Sequence, residues 1–521
     1  MISTRPIRSL SLYFGLFCVL VSACDTSPPP PSGGEALART YCGSCHVYPE
    51  PALLSVWNWG NVLPDMGSRL GVYPVIPRDT LVRLIDWAGV DPASIYPEEA
   101  RLTRAQWDSL EAFYLEHAPD TLLTPARGTP VAVEMPAPFV LRAPDYRFDK
   151  PFTILTRIQA SPPLFYVGNY GRPNSTLMVI NGKGQVLFDW KIDGAPVDVH
   201  WDGQRLYVLL VGLGPEPTEA ALGSIYVLTG PSRPPVAFIE GLKRPVDMAV
   251  ADLSGDGLDD FVIGEFGHQV GSLVWYESNR EGAMTRHVLS EMPGAAHVEI
   301  ADMDGDGRQD IVALMAQGDE GIDIYHNAGG GRYEAKRVLR FPPVYGSNSF
   351  QLADVNGDGR TDILYVNGDN ADATHVPKPY HGLRLFLANA AGGYDERWFF
   401  PMHGAIAARI GDFDADGDLD IAAISAFPDY LNAPGESFIY LRNRGDLTFE
   451  ASTFPDAQRG RWLTMDAGDY DADGDIDLIL GSNIGFAPEG DTTGLFDRWQ
   501  EEAPSFLMLH NSLDPPAPGN K

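Results

Sequence analysis

The feature that most constrains this 521-residue chain is a nine-residue, aspartate-rich segment that recurs five times. The copies start at Asp252, Asp302, Asp354, Asp412 and Asp469, so successive starts lie 50, 52, 58 and 57 residues apart. A unit of that length suits a four-stranded propeller blade and is too long for one coil of a tight β-helix. Apolar residues alternate into each copy: Val250, Ile300, Leu352, Ile410 and Ala467 stand two before it, and Met248, Val298, Phe350, Ala408 and Met465 four before it. Apolar runs such as Ile363-Leu364-Tyr365-Val366 follow it. Each segment therefore joins one strand to the next.

Oxygen-bearing side chains occupy positions one, three, five and nine of each segment, with glycine at six. They are Asp252, Ser254, Asp256 and Asp260; Asp302, Asp304, Asp306 and Asp310; Asp354, Asn356, Asp358 and Asp362; Asp412, Asp414, Asp416 and Asp420; and Asp469, Asp471, Asp473 and Asp477. Glycine permits a sharp turn, so the oxygens can wrap a hard cation; Ca2+ fits best, with up to five ions per chain. A helix–loop–helix calcium site is excluded, because its twelfth position needs a bidentate glutamate and here holds Ile263, Ala313, Tyr365, Ala423 and Leu480. The formal net charge of −32 owes much to the 21 aspartates in these segments. That acidity is partly a metal-binding signature, and it argues against a nucleic-acid partner.

The segments resemble the calcium-binding elements of FG-GAP and VCBS repeats, known from integrin-type seven-bladed propellers and many bacterial surface proteins. The resemblance covers residues 145–511, and Phe266-Gly267 preserves the eponymous dipeptide after the first segment. It implies an all-β propeller. Strands ending in asparagine, at Asn327, Asn389, Asn443 and Asn511, are read as closing their blades, and five blades are directly visible. The strand-rich stretch 152–240 has room for two more, with Asp202-Gly203 as a decayed loop. Seven blades is the expectation, or eight if the preceding linker contributes strands.

A second signal lies near the N-terminus. Cys42-Gly43-Ser44-Cys45-His46 is the pattern that attaches haem covalently through two thioethers and places a histidine beneath the iron. A zinc site would need a second ligand pair, and a thioredoxin-like motif a βαβ setting; neither is present. Residues 35–41 favour a short helix into the pentapeptide, and 103–117 carries Trp107, Leu110, Phe113 and Tyr114 at helical spacing. This order resembles small c-type cytochromes, so residues 35–119 are expected to form an all-α haem domain with one covalent haem c. Cys42 and Cys45 then bind the haem and His46 ligates it. Met66, behind Pro64 in an extended ligand loop, completes the coordination, with His117 as competitor and Trp57 and Trp59 as walls.

The remaining cysteines, Cys18 and Cys24, belong to a targeting segment. Arg5 and Arg8 precede an apolar stretch from Leu10 to Leu20, and Val21-Ser22-Ala23-Cys24 resembles a bacterial lipobox. This implies a signal peptide over 1–23, lipidation at Cys24, a proline-rich spacer to residue 34, and a lipid anchor on an extracytoplasmic membrane face, periplasmic or at the cell surface. Residues 120–144 read as a proline-rich linker and 512–521 as a tail.

Together these features predict a multidomain, lipid-anchored cytochrome that transfers electrons to or from a redox protein or small-molecule donor, with a calcium-stabilised propeller for docking or ligand binding. Two other readings stand beside it: a haem-coupled oxidoreductase or carbohydrate-active enzyme with its site in the propeller channel, and an adhesion protein. The enzyme reading rests on polar residues five before the segments, Asp247, His297, Ser349 and Thr464, with Arg244, His268 and His403 nearby. Channel residues that only bind water compete with it. No dinucleotide fingerprint or Ser/His/Asp spacing appears.

Overall fold

The computed structural model describes residues 33–84, 91–123, 129–144, 146–230, 233–369, 377–485 and 491–513. The targeting segment, Cys24, most of the spacer and the tail from residue 514 lie outside the described residues. Among those described, no helix is long and apolar enough to cross a membrane.

Period-two strands that each bury one edge against a neighbour assemble into seven antiparallel sheets arranged as propeller blades. Blades 1 to 7 span 153–192, 196–242, 245–290, 295–340, 347–401, 405–453 and 462–511, and in each the first strand is innermost. Six of the seven second strands are buried along their whole length, as in Asp310–Met315 and Asp420–Ser425, because both faces pack on other blades. Blades 1 and 2 fill the 152–240 stretch, and Asp202 sits at the turn equivalent to the aspartate segments, its carboxylate held by the Gln204 and Arg205 amides at 2.8 and 2.7 Å.

Two expectations change. The asparagine-terminated strands are third strands; a fourth, outer strand follows each in blades 4, 5 and 6. The linker also contributes strands, yet no eighth blade forms. Phe139–Arg142 pairs antiparallel with Phe506–Asn511, with Phe139 opposite Asn511, and so becomes the outer strand of blade 7. Val131–Val133 adds a parallel fifth strand to blade 6. Propeller strands therefore begin at Val131, upstream of residue 145, and the ring is closed by pairing Phe139–Arg142 with the C-terminal strand, which removes a free sheet edge.

The preceding unit is all-α: α1 (Gly33–Tyr41), α2 (Val56–Arg69), α3 (Arg78–Leu84) and α4 (Arg104–His117). Thr103 and Gln106 form a reciprocal capping box at the start of α4. Helices α1 and α4 cross at Gly34, where a Cβ would stand 2.4 Å from the Ser109 carbonyl oxygen, so the contact requires glycine. Ala38, Trp59, Leu63, Trp107, Leu110 and Tyr114 form the buried core. The unit rests on the propeller face opposite the aspartate segments. Tyr380 donates to the Leu53 carbonyl at 3.1 Å, Arg69 donates to Gln269 Oε1 at 3.0 Å, and Val344 packs on the helical core.

Candidate functional site

Each aspartate segment connects the first and second strands of its blade, and one plan holds all five. The first aspartate caps the turn with its carboxylate: Asp252 accepts the amides of Gly255, Asp256 and Gly257 at 2.8–3.0 Å. Position six is a glycine with φ between 81° and 97° in every copy. Position nine behaves differently from a simple ligand. Asp260, Asp310, Asp362, Asp420 and Asp477 are buried at the start of the second strand. Asp362 accepts the Val355 amide at 3.0 Å through one oxygen and the Ala388 amide of the third strand at 2.8 Å through the other. Asp260, Asp310 and Asp477 repeat this arrangement; Asp420 takes the Asn443 amide and the Tyr440 hydroxyl. In the segments at 302, 412 and 469 the carboxylate oxygens of positions one, three and five lie within 4.8 Å of one another. That is a donor set suited to a divalent cation.

Sequence reasoning missed the stitch made by two of the four strand-ending asparagines. Asn327 donates to the Leu253 carbonyl in the preceding blade and to Gln309 in its own; Asn511 does the same to Phe413 and Ile476. The repeated asparagine was the available signal.

The central channel is a cavity of about 570 Å³ lined by the innermost strands. The third and fifth residues of those strands make two polar levels. Asp198 and Asp247 accept the amides of Met248 and Val298 in the next blade; Glu299, Gln351 and Asp466 accept those of Leu352, Ile410 and Ile158. The channel polar groups are thus inter-blade staples, the last of them joining blade 7 to blade 1. Arg157 pairs with Asp198 at 3.0 Å, Arg409 with Asp466 at 3.1 Å, and His297 with Asp247 at 3.0 Å. Burial opposes the His297 charge, but Asp247 and Glu299 outweigh it and hold the imidazolium up to about 10. Burial pushes Asp198 up to about 6. Such pairing leaves His297 a saturated ion-pair partner.

The other weak catalytic candidates do not join it. Arg244 lies on the opposite rim, φ +46°, donating to the Gly267 and Pro215 carbonyls. It lines a second cavity of about 450 Å³ between Leu54 and Val62 of the helical unit and propeller residues including Phe266, Glu320, Asn348 and Lys378. Glu320 is 3 % exposed, and burial pushes its carboxyl up to about 8; it accepts the Ser347 hydroxyl. His268 and His403 line neither cavity.

A profile described as "FG-GAP-like repeat" matches residues 252–313, 310–365 and 412–480, spans that contain all five segments. The chain carries FG-GAP-like repeats. Mouse cartilage acidic protein 1 is 29% identical over 162 residues, which are 30% of this chain and 24% of that protein, so the chain spans about a quarter of that curated relative. Among solved structures, the N-terminal domain of Nup159 aligns with TM-score 0.42 at 10% identity, covering 74% of this chain and 98% of that one. BBS1N in complex with ARL6 aligns with TM-score 0.40 at 12% identity, covering 74% and 95%. The FG-GAP-like repeats occupy blades 3 to 7, whereas blades 1 and 2 lack the aspartate segment.

In the helical unit preceding the FG-GAP-like repeats, Cys42–Ser44 forms a 3-10 turn at the end of α1. Cys42 and Cys45 are free thiols, the first half-buried and pushed up to about 11 by burial, the second exposed. His46 Nδ1 lies 2.9 Å from the Val47 carbonyl, which leaves Nε2 unengaged by that contact. Met66 sits in the last turn of α2, not in an extended loop, because Pro64 is accommodated inside the helix; it packs half-buried on the core that Cys42 also touches. Trp59 is buried and donates to the Pro51 carbonyl, whereas Trp57 is 68 % exposed. His117 Nδ1 contacts the Phe113 carbonyl at 2.8 Å and caps α4.

Proposed function

We propose that the protein is a lipid-anchored, extracytoplasmic c-type cytochrome that transfers electrons through one covalent haem, its calcium-stabilised propeller offering a docking or ligand-binding surface. A propeller of FG-GAP-like repeats suggests ligand binding or adhesion, and the pentapeptide adds redox chemistry. The observation that carries the reading is the donor set at the end of α1: two free thiols three residues apart, and His46 oriented by the Val47 carbonyl so that Nε2 is left for a metal, as when a ligating histidine is held by a hydrogen bond through its other ring nitrogen. Burial that disfavours a Cys42 thiolate suits a neutral thioether equally well. Haem bound there would supply a one-electron couple. Met66 and Cys24 keep the roles of distal ligand and lipid site in this proposal. The protein made in a host with cytochrome c maturation should show a haemochrome spectrum and a covalent haem mass, both lost in Cys42→Ala/Cys45→Ala; a mature protein free of covalent haem overturns the reading.

The junction cavity favours a second reading, a haem-coupled oxidoreductase acting on a small polar substrate. It lies directly beneath the helical unit, and Glu320 brings a buried carboxyl into it. Haem reduction by one member of a panel of sugars, alcohols and polyols, lost in Glu320→Gln, would establish it; redox-partner capture with no substrate reduction favours the carrier.

A further inference from the structure

The five FG-GAP-like segments share a backbone plan but differ in donor chemistry, at positions three and seven and at one residue outside them. The side chain just before each third-strand asparagine position, or its equivalent, is Ser278, His326, Ala388, Arg442 and His510 in blades 3 to 7. In blade 6 the Arg442 guanidinium lies against Asp414 and Asp416, an internal cation. In blade 7 His510 Nδ1 stands 3.2 Å from Asp477 Oδ1 and 3.5 Å from Asp471 Oδ2; in blade 4 His326 Nδ1 stands 3.2 Å from Asp310 Oδ2 and 3.8 Å from Asp304 Oδ2. In both blades one ligand atom from each of the three residues falls within 4.8 Å of the others.

Blade 7 has a further feature. Asp475, at position seven, is 9 % exposed and no N–H or O–H group donates to either of its carboxylate oxygens; Asp471 Oδ1 is likewise buried without a donor. The Asp473, Asp471 and Asp469 carboxylates are its charged neighbours, so these oxygens without donors stand beside the cluster that Asp469, Asp471 and Asp473 form. Buried carboxylates without partners are costly, and a cation is the direct remedy. Six to eight oxygens suit Ca2+, but an imidazole nitrogen in the donor set suits a borderline divalent ion, at which His is the commonest ligand.

We propose that the blade 7 segment, Asp469, Asp471, Asp473, Asp475 and Asp477 with His510, is a mixed nitrogen–oxygen site for a divalent transition metal of the Zn2+ class, chemically distinct from the oxygen-only segments of blades 3 and 5. Blade 4, with His326 but Arg308 at position seven, is the weaker copy. The competing role for His510 is a hydrogen bond to Asp477 or to Tyr470, whose hydroxyl lies 3.3 Å away.

The test is equilibrium dialysis of the full mature chain against Zn2+ in excess Ca2+, with any Cys42 and Cys45 thiols not carrying haem alkylated, followed by metal analysis. Zn2+ should remain bound in the presence of Ca2+. His510→Ala should weaken it at least about tenfold while leaving bound Ca2+ unchanged. Asp475→Asn, which keeps the shape of the loop, should weaken it in the same sense, and circular dichroism checks that both variants fold. If His510→Ala destabilises the blade, Asp475→Asn decides. Complete displacement of Zn2+ by Ca2+, or unchanged Zn2+ affinity in a folded His510→Ala variant, overturns the proposal. Neither result depends on whether haem is attached.

Discussion

Replacing Asp362 by alanine separates the two roles a position-nine aspartate can have. Its oxygens accept the Val355 and Ala388 amides at 3.0 and 2.8 Å, and its side chain is fully buried at the strand start. Deleting it leaves two backbone donors without acceptors in a site too tight for easy hydration. Each such loss costs about 1–3 kcal/mol, so the substitution should cost roughly 2–6 kcal/mol. A body the size of this propeller has an unfolding entropy near 0.8 kcal/mol per degree, which turns that loss into a melting-point drop of roughly 3–8 °C. The decisive condition is metal-free buffer with chelator. If Asp362 staples the loop to the third strand, the drop appears with or without Ca2+, and hydrogen exchange speeds up at Val355 and Ala388 in both. If it acts only as a metal ligand, chelated wild type and variant melt together. A difference under about 1 °C in chelator would refute the staple argument. Asp362→Asn retains one acceptor oxygen and should fall between the two.

Other outcomes follow from the same geometry. Arg442→Ala removes the guanidinium from Asp414 and Asp416 and should tighten Ca2+ binding at the blade 6 segment, read by calorimetry as a higher-affinity site; unchanged isotherms would count against the internal-cation reading. The His297 pKa is raised to about 10, so its ion pair with Asp247 stabilises fully below the unfolded value near 6.5 and is lost as pH rises through 10. The melting temperature should therefore decline between pH 7 and 10 more steeply in wild type than in His297→Gln, and parallel pH profiles would exclude it. Ala415 and Ala472 hold φ of 56° and 65° where the other three segments have glycine. Ala472→Gly should relieve about 1 kcal/mol of left-handed strain, less the entropy glycine adds to the unfolded chain, and raise the melting temperature slightly; a lower one would show that the loop tolerates alanine without strain.

The repeating parts of the fold were legible because each depends on residues close in sequence. Alternation into Val250 or Ile300 marks the inner strands, the glycine at position six marks the turn, and Thr103 with Gln106 marks the start of α4. Met66 was misplaced because Pro64 suggested an extended loop, while burial of Trp59 and Leu63 against α4 favours continuing the helix. The channel set was half visible. Asp247 and His297 were found by their offset from the segments, but Arg157, Asp198, Glu299, Arg409 and Asp466 emerge only when the third and fifth residues of all inner strands are compared as two columns, including the blades without aspartate segments.

The sequence by itself determined the blade period, the oxygen donors at positions one, three and five, and the thiol pair with its adjacent histidine, since all are local and each repeat restates its own pattern. Tertiary structure alone decided that Phe139–Arg142 completes blade 7 across more than 360 residues, that Asp362 and its equivalents turn inward to backbone amides, that the helical unit covers the rim opposite the aspartate segments, and that His326 and His510 reach the cages of blades 4 and 7. Those outcomes depend on strand pairing and packing between distant residues, and ring closure fixes them only when all seven blades are in place.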